Sequence, residues 1–545
     1  MPKVFINNIE IEATAGETII QVAKKNEIYI PHFCWHPELS ISGNCRMCLV
    51  EVGNPKRNPD GSFALDENNN KIILYMPKLQ IACNTTVTDE MRINTNTQKV
   101  VDARASVMEF LLINHPLDCP ICDEAGQCKL QNYSEKYSTH GSRFTETKNQ
   151  NPKRIDWNDK IIYDAERCIS CSRCIRWTKE IMHEDVLTFI NRGDRVRIER
   201  FEDAKIQNNY SMNIIDNCPV GALTSKDFRF KSRVWEMSFN DSICTLCSRG
   251  CKIKIGSKNN EVLRVESAEI STNCNSNDNC KDSKHSYNHK NWICDYGRLV
   301  MPSQINNKRL SNPKGRKNGI FEEKITWKDA ISSAVSLLKK YKSNEIYFIA
   351  SPLASNESNS LFVELAKKIN VKNIGFVPRV DENFGDNFLK QNDKTPNTAG
   401  VKALGVDTVN CQELHKKIIS KEIKCVIALD EDFSYCDDLA NVFVKLDKLI
   451  IFSSKENKAV KFSDVCFAVA ECSEYDGSFT NCENEIQHFK SIFLFSEDLQ
   501  SLEKISSVNR SRLDIFGTPF DKWNQKIERN IKPSSEILQE ILKSL

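Results

Sequence analysis

Cys168-Ile169-Ser170-Cys171-Ser172-Arg173-Cys174 sets three cysteines two residues apart, and Cys218-Pro219 supplies a fourth. Thiolates at that spacing suit a cubane [4Fe–4S] cluster. Three more four-ligand sets lie on either side. Cys34, Cys45, Cys48 and Cys83 come first, then His115, Cys119, Cys122 and Cys128, and Cys244, Cys247, Cys251 and Cys294 follow. Together the four sets take fifteen of the 23 cysteines and one of the nine histidines. Several clusters on one chain make a path for electrons.

The rest of the composition fits a large protein of ordinary charge. At 545 residues the chain has room for about three or four domains. Lys plus Arg number 75 against 73 Asp plus Glu, so the net charge of +2 gives no reason to expect nucleic acid or an anionic membrane surface. No run approaches the roughly 18 apolar residues of a spanning helix. Met1-Pro2-Lys3-Val4 lacks an export-signal pattern. Clustered cysteines without such a signal favour metal over disulfides, and so a cytosolic or other reducing compartment. Any membrane attachment is then made through partners.

Residues 1–95 read as a [2Fe–2S] ferredoxin-type domain. Val4, Ile6, Ile9 and Ile11 flank Asn7-Asn8 as a tight hairpin, because Asn tolerates positive φ. Thr14 and Glu17 form a capping box ahead of Ile19, Ile20, Val22 and Ala23. Hairpin then helix is how a small β-grasp ferredoxin begins. The Cys34, Cys45, Cys48, Cys83 spacing suits a plant-type [2Fe–2S] site with a lengthened first loop. Zinc ligands would more often come as two close pairs. The polar stretch 54–71 reads as an exposed hairpin inserted before the fourth ligand.

Residues 96–138 read as a helix followed by a ligand loop. Val100, Ala103, Val107, Phe110 and Leu111 are expected on one helical face, ending before Asn114-His115-Pro116. The x3 spacing of His115 from the Cys119/Cys122 pair makes it a ligand of a [4Fe–4S] site completed by Cys128, with zinc on the same four residues as the competing assignment. A neutral imidazole in place of a thiolate should raise the cluster's potential. Residues 139–236 read as a [4Fe–4S] ferredoxin-like domain. Thr178 stands where a two-cluster ferredoxin has its next Cys-Pro, so one cluster remains and Cys218 completes it.

In residues 237–300, Cys244, Cys247, Cys251 and Cys294 look like the N-terminal cluster motif of molybdopterin oxidoreductases. Their long spacer carries Cys274, Cys280, His285 and His289, which reads as a disordered surface insertion in preference to a zinc site. Residues 301–545 alternate amphipathic helices (327–340, 361–369) with short apolar runs (346–350, 374–377, 426–429, 449–452, 465–469), implying a parallel α/β sheet. Ile537, Leu538, Ile541, Leu542 and Leu545 make an apolar stripe that favours packing over a partner surface.

Taken together, residues 1–300 resemble the large iron–sulfur subunits of respiratory complex I, NADH–quinone oxidoreductase. The match is carried by Cys45-Arg46-Met47-Cys48-Leu49-Val50-Glu51-Val52, by His115 to Cys128 with Lys129-Leu130-Gln131, and by Cys168 to Cys174 with Cys218-Pro219-Val220-Gly221-Ala222-Leu223. It continues more weakly to Glu474-Tyr475-Asp476-Gly477-Ser478-Phe479-Thr480-Asn481. The resemblance implies a multidomain α+β and α/β protein. Its parts would be a β-grasp [2Fe–2S] domain, a ferredoxin-like [4Fe–4S] domain, and a degenerate molybdopterin-oxidoreductase-like α/β region without that cofactor.

The implied function is electron transfer without a substrate site or catalytic residue of its own, from an NADH/flavin subunit toward quinone-side subunits. In the whole complex this is coupled to proton translocation. The implied cofactors are one [2Fe–2S] and two or three [4Fe–4S] clusters, the fourth set being optional, off the route and favouring a bacterial source. The implied location is the peripheral arm on the cytoplasmic face of the bacterial inner membrane, or the matrix side in an organelle. Asp430-Glu431-Asp432, at a turn where a pterin-binding relative favours glycine, would repel a phosphate. Two other readings compete: a diaphorase-linked subunit of a hydrogenase or formate dehydrogenase, and a zinc-stabilised scaffold. The hydrogenase version needs a downstream cysteine set that the remaining eight cysteines do not form.

Overall fold

The computed structural model describes residues 1–138, 141–201, 204, 206–259, 261–268, 292–306, 309–317, 319–436, 439, 442–492 and 530–545. Cys274, Cys280, His285 and His289 lie outside the described residues. The described chain divides into two compact units, the first within residues 1–236 and the second comprising 237–268 and 292–545.

The first unit opens with the Asn7-Asn8 hairpin. Lys3–Ile6 and Ile9–Glu12 pair antiparallel, with Asn7 at φ 51° and Asn8 at φ 68°. Positive φ at both central residues matches the twist of the flanking strands. Lys3–Ile6 also pairs in parallel with Arg92–Asn94, which lies against Leu49–Pro55, and that strand carries Ile73–Tyr75 on its far edge. The helix Ile19–Lys25 buries Ile19, Ile20, Val22 and Ala23 against Val4, Ile6, Val50, Val52 and Ile93. Each large aliphatic side chain so buried stabilises the fold by about 1.5–3 kcal/mol.

Two local expectations need correction. The box that caps this helix is Thr18 with Gln21, whereas Thr14 and Glu17 close a separate preceding turn. Capping depends on which residue leaves the helical conformation first, and Thr18 is extended at ψ 158°. The helix Gln98–Leu112 ends where expected, but it buries Val100, Arg104 and Met108 and leaves Phe110 76% exposed. Buried Arg104 turns inward because its guanidinium reaches the Leu49 carbonyl at 3.0 Å, which rotates the apolar face away from Phe110.

The ferredoxin-like part is small. Ile161–Tyr163 is paired antiparallel on both sides, by Leu223–Ser225 and Ile155–Asp156. The helix Arg173–Glu180 starts inside the cysteine loop.

The second unit contains an antiparallel sheet, Ser238–Ile243, Lys252–Lys258 and Glu261–Ser267, followed by the helix Asp295–Asn306. Beyond it stands a seven-stranded sheet. Five of its strands, Ile374–Phe376, Ile346–Ala350, Cys425–Leu429, Lys448–Ser453 and Val465–Ala468, lie side by side in that order and all parallel. Counted along the chain this is the order 2-1-3-4-5, a doubly wound arrangement with helices on both faces. Lys314–Lys317 and Ile320–Glu322 extend the far edge antiparallel.

Cys425, Ile427 and Leu429 face one core while Val426 and Ala428 face the other, as a strand buried on both sides requires. The helix Ser534–Ser544 buries Ile537, Leu538 and Ile541 in the same core as Ala334, Leu338 and Phe362, so the apolar stripe does pack. Cys411 and Cys436 form a disulfide that their separation of 25 residues had concealed.

Candidate iron–sulfur ligand sets

The first and third ligand loops are shaped by backbone that few side chains adopt. Arg46, between Cys45 and Cys48, has φ 57°, and Ser170 and Ser172, on either side of Cys171, have φ 54° and 62°. Left-handed residues of this kind cost about 1–3 kcal/mol each and persist where the surroundings over-determine them. Here they turn successive cysteines to one side.

In the first set Cys34, Cys48 and Cys83 are buried and Cys45 half-buried. The thiols associate in two pairs. A hydrogen bond from Cys45 pulls the Cys34 thiol down to about 6 and pushes Cys45 up. Cys48 and Cys83 behave likewise, Cys48 raised and Cys83 lowered. The charge of Cys34 also acts on Cys48 and Cys83.

In the third set burial raises all four thiols, Cys168 to about 11, and each also feels another member of the set or the Cys34 thiol. Ser170 N donates to Cys168 Sγ at 3.4 Å. Thr178 is fully buried, its hydroxyl spent on the Ile175 carbonyl at 3.0 Å.

The second set is less gathered. Cys122 and Cys128 are buried and interact, and burial pushes Cys128 up to about 11. Cys119 is exposed at the start of a single 3-10 turn, Cys119–Ile121. Burial, with Lys148 and Arg167 nearby, pulls His115 down to about 4, so its imidazole is neutral at neutral pH and keeps a lone pair for a metal.

The fourth set, in the second unit, lines one small hollow with Leu246, Ile293, Tyr296, Phe384, Leu389 and Lys390. Gly297 lies at its wall: a Cβ there would sit 3.3 Å from Cys244 Sγ and 3.6 Å from Cys294 Sγ. The Gly297 amide donates to Cys294 Sγ at 3.3 Å. Four thiols around an apolar hollow, with an amide aimed at one sulfur, fit a thiolate-bound cluster, whose sulfurs accept such hydrogen bonds. Among the described residues no group of three or more His, Cys, Asp or Glu side chains is arranged to hold a metal ion.

Within the first unit the third set touches both of the others. Arg176 Nη2 donates to the Cys34 carbonyl at 2.5 Å and to the Cys171 carbonyl at 3.4 Å. Asn44 Nδ2 donates to the Ser170 carbonyl at 3.0 Å. On the other side Arg167 Nη2 holds Asp118 Oδ2 at 2.8 Å, Lys153 reaches the same oxygen at 2.7 Å, and Lys129 N donates to the Pro219 carbonyl at 3.2 Å. Sequence reasoning missed Arg167, Arg173 and Arg176. Their signal was present as cations flanking the cysteine run, Arg167 just before Cys168, Arg173 just before Cys174 and Arg176 two residues after it.

Family models match three stretches. Residues 3–98 match a 2Fe-2S iron-sulfur cluster binding domain, residues 104–143 the NADH-ubiquinone oxidoreductase-G iron-sulfur binding region, and residues 158–224 the ferredoxin-like domain of NADH-quinone oxidoreductase subunit 3. Whole-chain comparison finds NADH-quinone oxidoreductase subunit 3 of Thermus thermophilus, 35% identical over 70% of this chain and 48% of the relative. An NADH-quinone oxidoreductase subunit of Rickettsia typhi is 34% identical over 71% and 52% respectively. The NADH-ubiquinone oxidoreductase 75 kDa subunit of Reclinomonas americana is 35% identical over 68% and 48%.

The chain thus spans about half the length of the curated relatives it matches. A chain of an NAD+-reducing [NiFe]-hydrogenase covers 43% of this one and 91% of its own length, at 22% identity and a TM-score of 0.34, a likeness too slight to argue from. Three iron–sulfur regions matched in order, with relatives at this identity, make the chain similar over that part to the NADH-quinone oxidoreductase iron–sulfur subunits that include subunit 3 and the 75 kDa subunit.

Proposed function

We propose that the chain is an electron-transfer subunit of NADH–quinone oxidoreductase, a proton-translocating complex, standing between a flavin/NADH-binding subunit and quinone-side subunits. Bound clusters would supply one-electron steps, and the chain itself contributes no acid, base or nucleophile. Cys34, Cys45, Cys48 and Cys83 would hold a [2Fe–2S] cluster. His115, Cys119, Cys122 and Cys128 would hold one [4Fe–4S] cluster, Cys168, Cys171, Cys174 and Cys218 another, and Cys244, Cys247, Cys251 and Cys294 an optional third away from the route.

The observation that carries this reading is the third set, hydrogen-bonded by Arg176 to the loop of the first and tied by Arg167 to the loop of the second. A relay needs such contact between neighbouring carriers.

The reading also divides the chain as the sequence suggested, at about residues 95, 138, 236 and 300, with the last part a degenerate molybdopterin-oxidoreductase-like region. What argues against a pterin there is the carboxyl end of the parallel strands, where such sheets take ligands. Ser351 Oγ donates across the switch point to the Asp430 carbonyl at 3.1 Å, and Arg379 engages Glu431 at 2.6 Å and Asp432 at 2.8 Å. No described helix is long and apolar enough to cross a membrane. The proposed place is the peripheral arm at the cytoplasmic face of a bacterial inner membrane, held by partners.

The test is NADH itself. The purified chain should not be reduced by NADH at a useful rate until a flavin-bearing partner is added. Rapid bleaching of its clusters by NADH alone would overturn the proposal.

A further inference from the structure

We propose that Arg176, which is not a ligand, is a positioning residue shared by the first and third sets: one guanidinium fixes the two ligand loops against each other and places one positive charge beside both. This rests on the reading that both sets hold clusters and assigns a residue beyond the ligands themselves.

Arg176 spends every nitrogen on this junction. Nη2 donates to the carbonyls of Cys34 and Cys171 at 2.5 and 3.4 Å, Nη1 to the carbonyl of Ser40, and Nε to Ser172 Oγ at 3.1 Å. Two of the accepting carbonyls belong to ligand residues of different sets. Arg173, one turn earlier on the helix Arg173–Glu180, repeats the pattern. It donates to the Trp35 carbonyl at 2.5 Å and to the Asn217 carbonyl, next to Cys218, at 3.2 Å. Glu180 at the end of the same helix accepts from Ser40 N at 2.8 Å and from its hydroxyl.

A planar fork with fixed donor directions can hold several carbonyls at once, whereas a lysine ammonium on a flexible stem holds them loosely. The charge matters separately from the fork. Reduction adds a negative charge to a cluster, and a half-buried cation beside it favours the reduced form. Besides the Cys171 and Cys34 thiols, the charges facing Arg176 are Glu180 and Arg173, of opposite sign.

The experiment uses the full chain purified anaerobically, with Arg176→Met and Arg176→Lys beside the parent. Redox titration followed by electron paramagnetic resonance gives both midpoint potentials, and the spin–spin interaction of the reduced clusters reports their spacing. Arg176→Met should lower both potentials together, changing each oxidised-to-reduced ratio by about tenfold, or about 59 mV for a one-electron couple. Arg176→Lys should keep both potentials near the parent's while broadening the spin–spin interaction.

Unchanged potentials in Arg176→Met with both clusters present would overturn the inference, as would a shift confined to one cluster. If Arg176→Met does not accumulate, Arg176→Lys decides alone: a spin–spin interaction identical to the parent's refutes the shared clamp. Absence of one of the two signals from the parent defeats the ligand assignment instead.

Discussion

Gly221 lies so close against Cys122 that a Cβ added to it would fall 2.1 Å from the Cys122 Sγ and 3.0 Å from Glu124 Cβ. The glycine belongs to the Cys-Pro stretch that closes the third set, and the sulfur belongs to the second. Gly221→Ala should therefore damage a site whose ligands it leaves intact. The expected result is loss of about four iron atoms and of one [4Fe–4S] signal, the third set's signal remaining. Retention of the full iron content by Gly221→Ala would show that the second loop can move aside.

Metal content is the broadest check. Anaerobic analysis should give roughly fourteen iron atoms per chain, the content of one two-iron and three four-iron clusters, with no molybdenum. Stoichiometric zinc with little iron would sink the relay altogether, and a bound pterin would move the chain to another class.

Much of this was legible because cysteine spacing is local. The C-x2-C and C-x2-C-x2-C groups constrain a few residues each, and the hairpin at Asn7-Asn8 and the helix Trp327–Lys340 came from equally short-range patterns. The register of helix faces was less legible. Arg104, charged and by habit a surface residue, is 2% exposed because a carbonyl 55 positions away waits for it. The junctions between ligand sets were hidden for the same reason. Arg176 and Cys34 are 142 residues apart, and no spacing rule joins a cation to a carbonyl that folding alone brings near. The Cys411–Cys436 link is of that kind too.

Route and branch can be separated by one substitution each. Cys171→Ala should abolish NADH-to-quinone activity in the assembled complex. Cys247→Ala should delete the fourth set's signal while leaving much of the electron flow. Losing a ligand also removes metal-linked folding free energy, so activity must be expressed per assembled flavin. Normal assembly of Cys247→Ala without electron transfer would put the fourth set on the route.

The second unit should respond to pH through Glu431. Burial raises its carboxyl to about 7 despite Arg379 and with Asp432 adding to the rise. A carboxyl raised in the folded state contributes stability fully present below its ordinary value near 4.5 and lost as pH climbs through about 7. Thermal melts should thus show the parent losing stability across that window relative to Glu431→Gln, by an amount on the order of a few kcal/mol. Parallel pH curves for the two proteins would refute the assignment.

Removing the cation instead should cost most stability above about pH 7, where Glu431 and Asp432 are both ionised. Arg379→Met leaves two carboxylates without their partner and should destabilise the second unit by about 3–5 kcal/mol in denaturant titrations.

Arg379, Glu431 and Asp432 also restrict how this corner of the molecule can diverge. Glu431 is 1% exposed and Arg379 8%, whereas Asp432 is exposed, so replacing Arg379 alone strands the Glu431 carboxylate away from water. Replacing the cation and its carboxylates together with apolar residues of like volume is close to neutral. Descendants of this chain are thereby steered toward joint replacement. Positions 379 and 431 should drift as a linked pair among close relatives, with both charges kept or both surrendered and few lineages caught between.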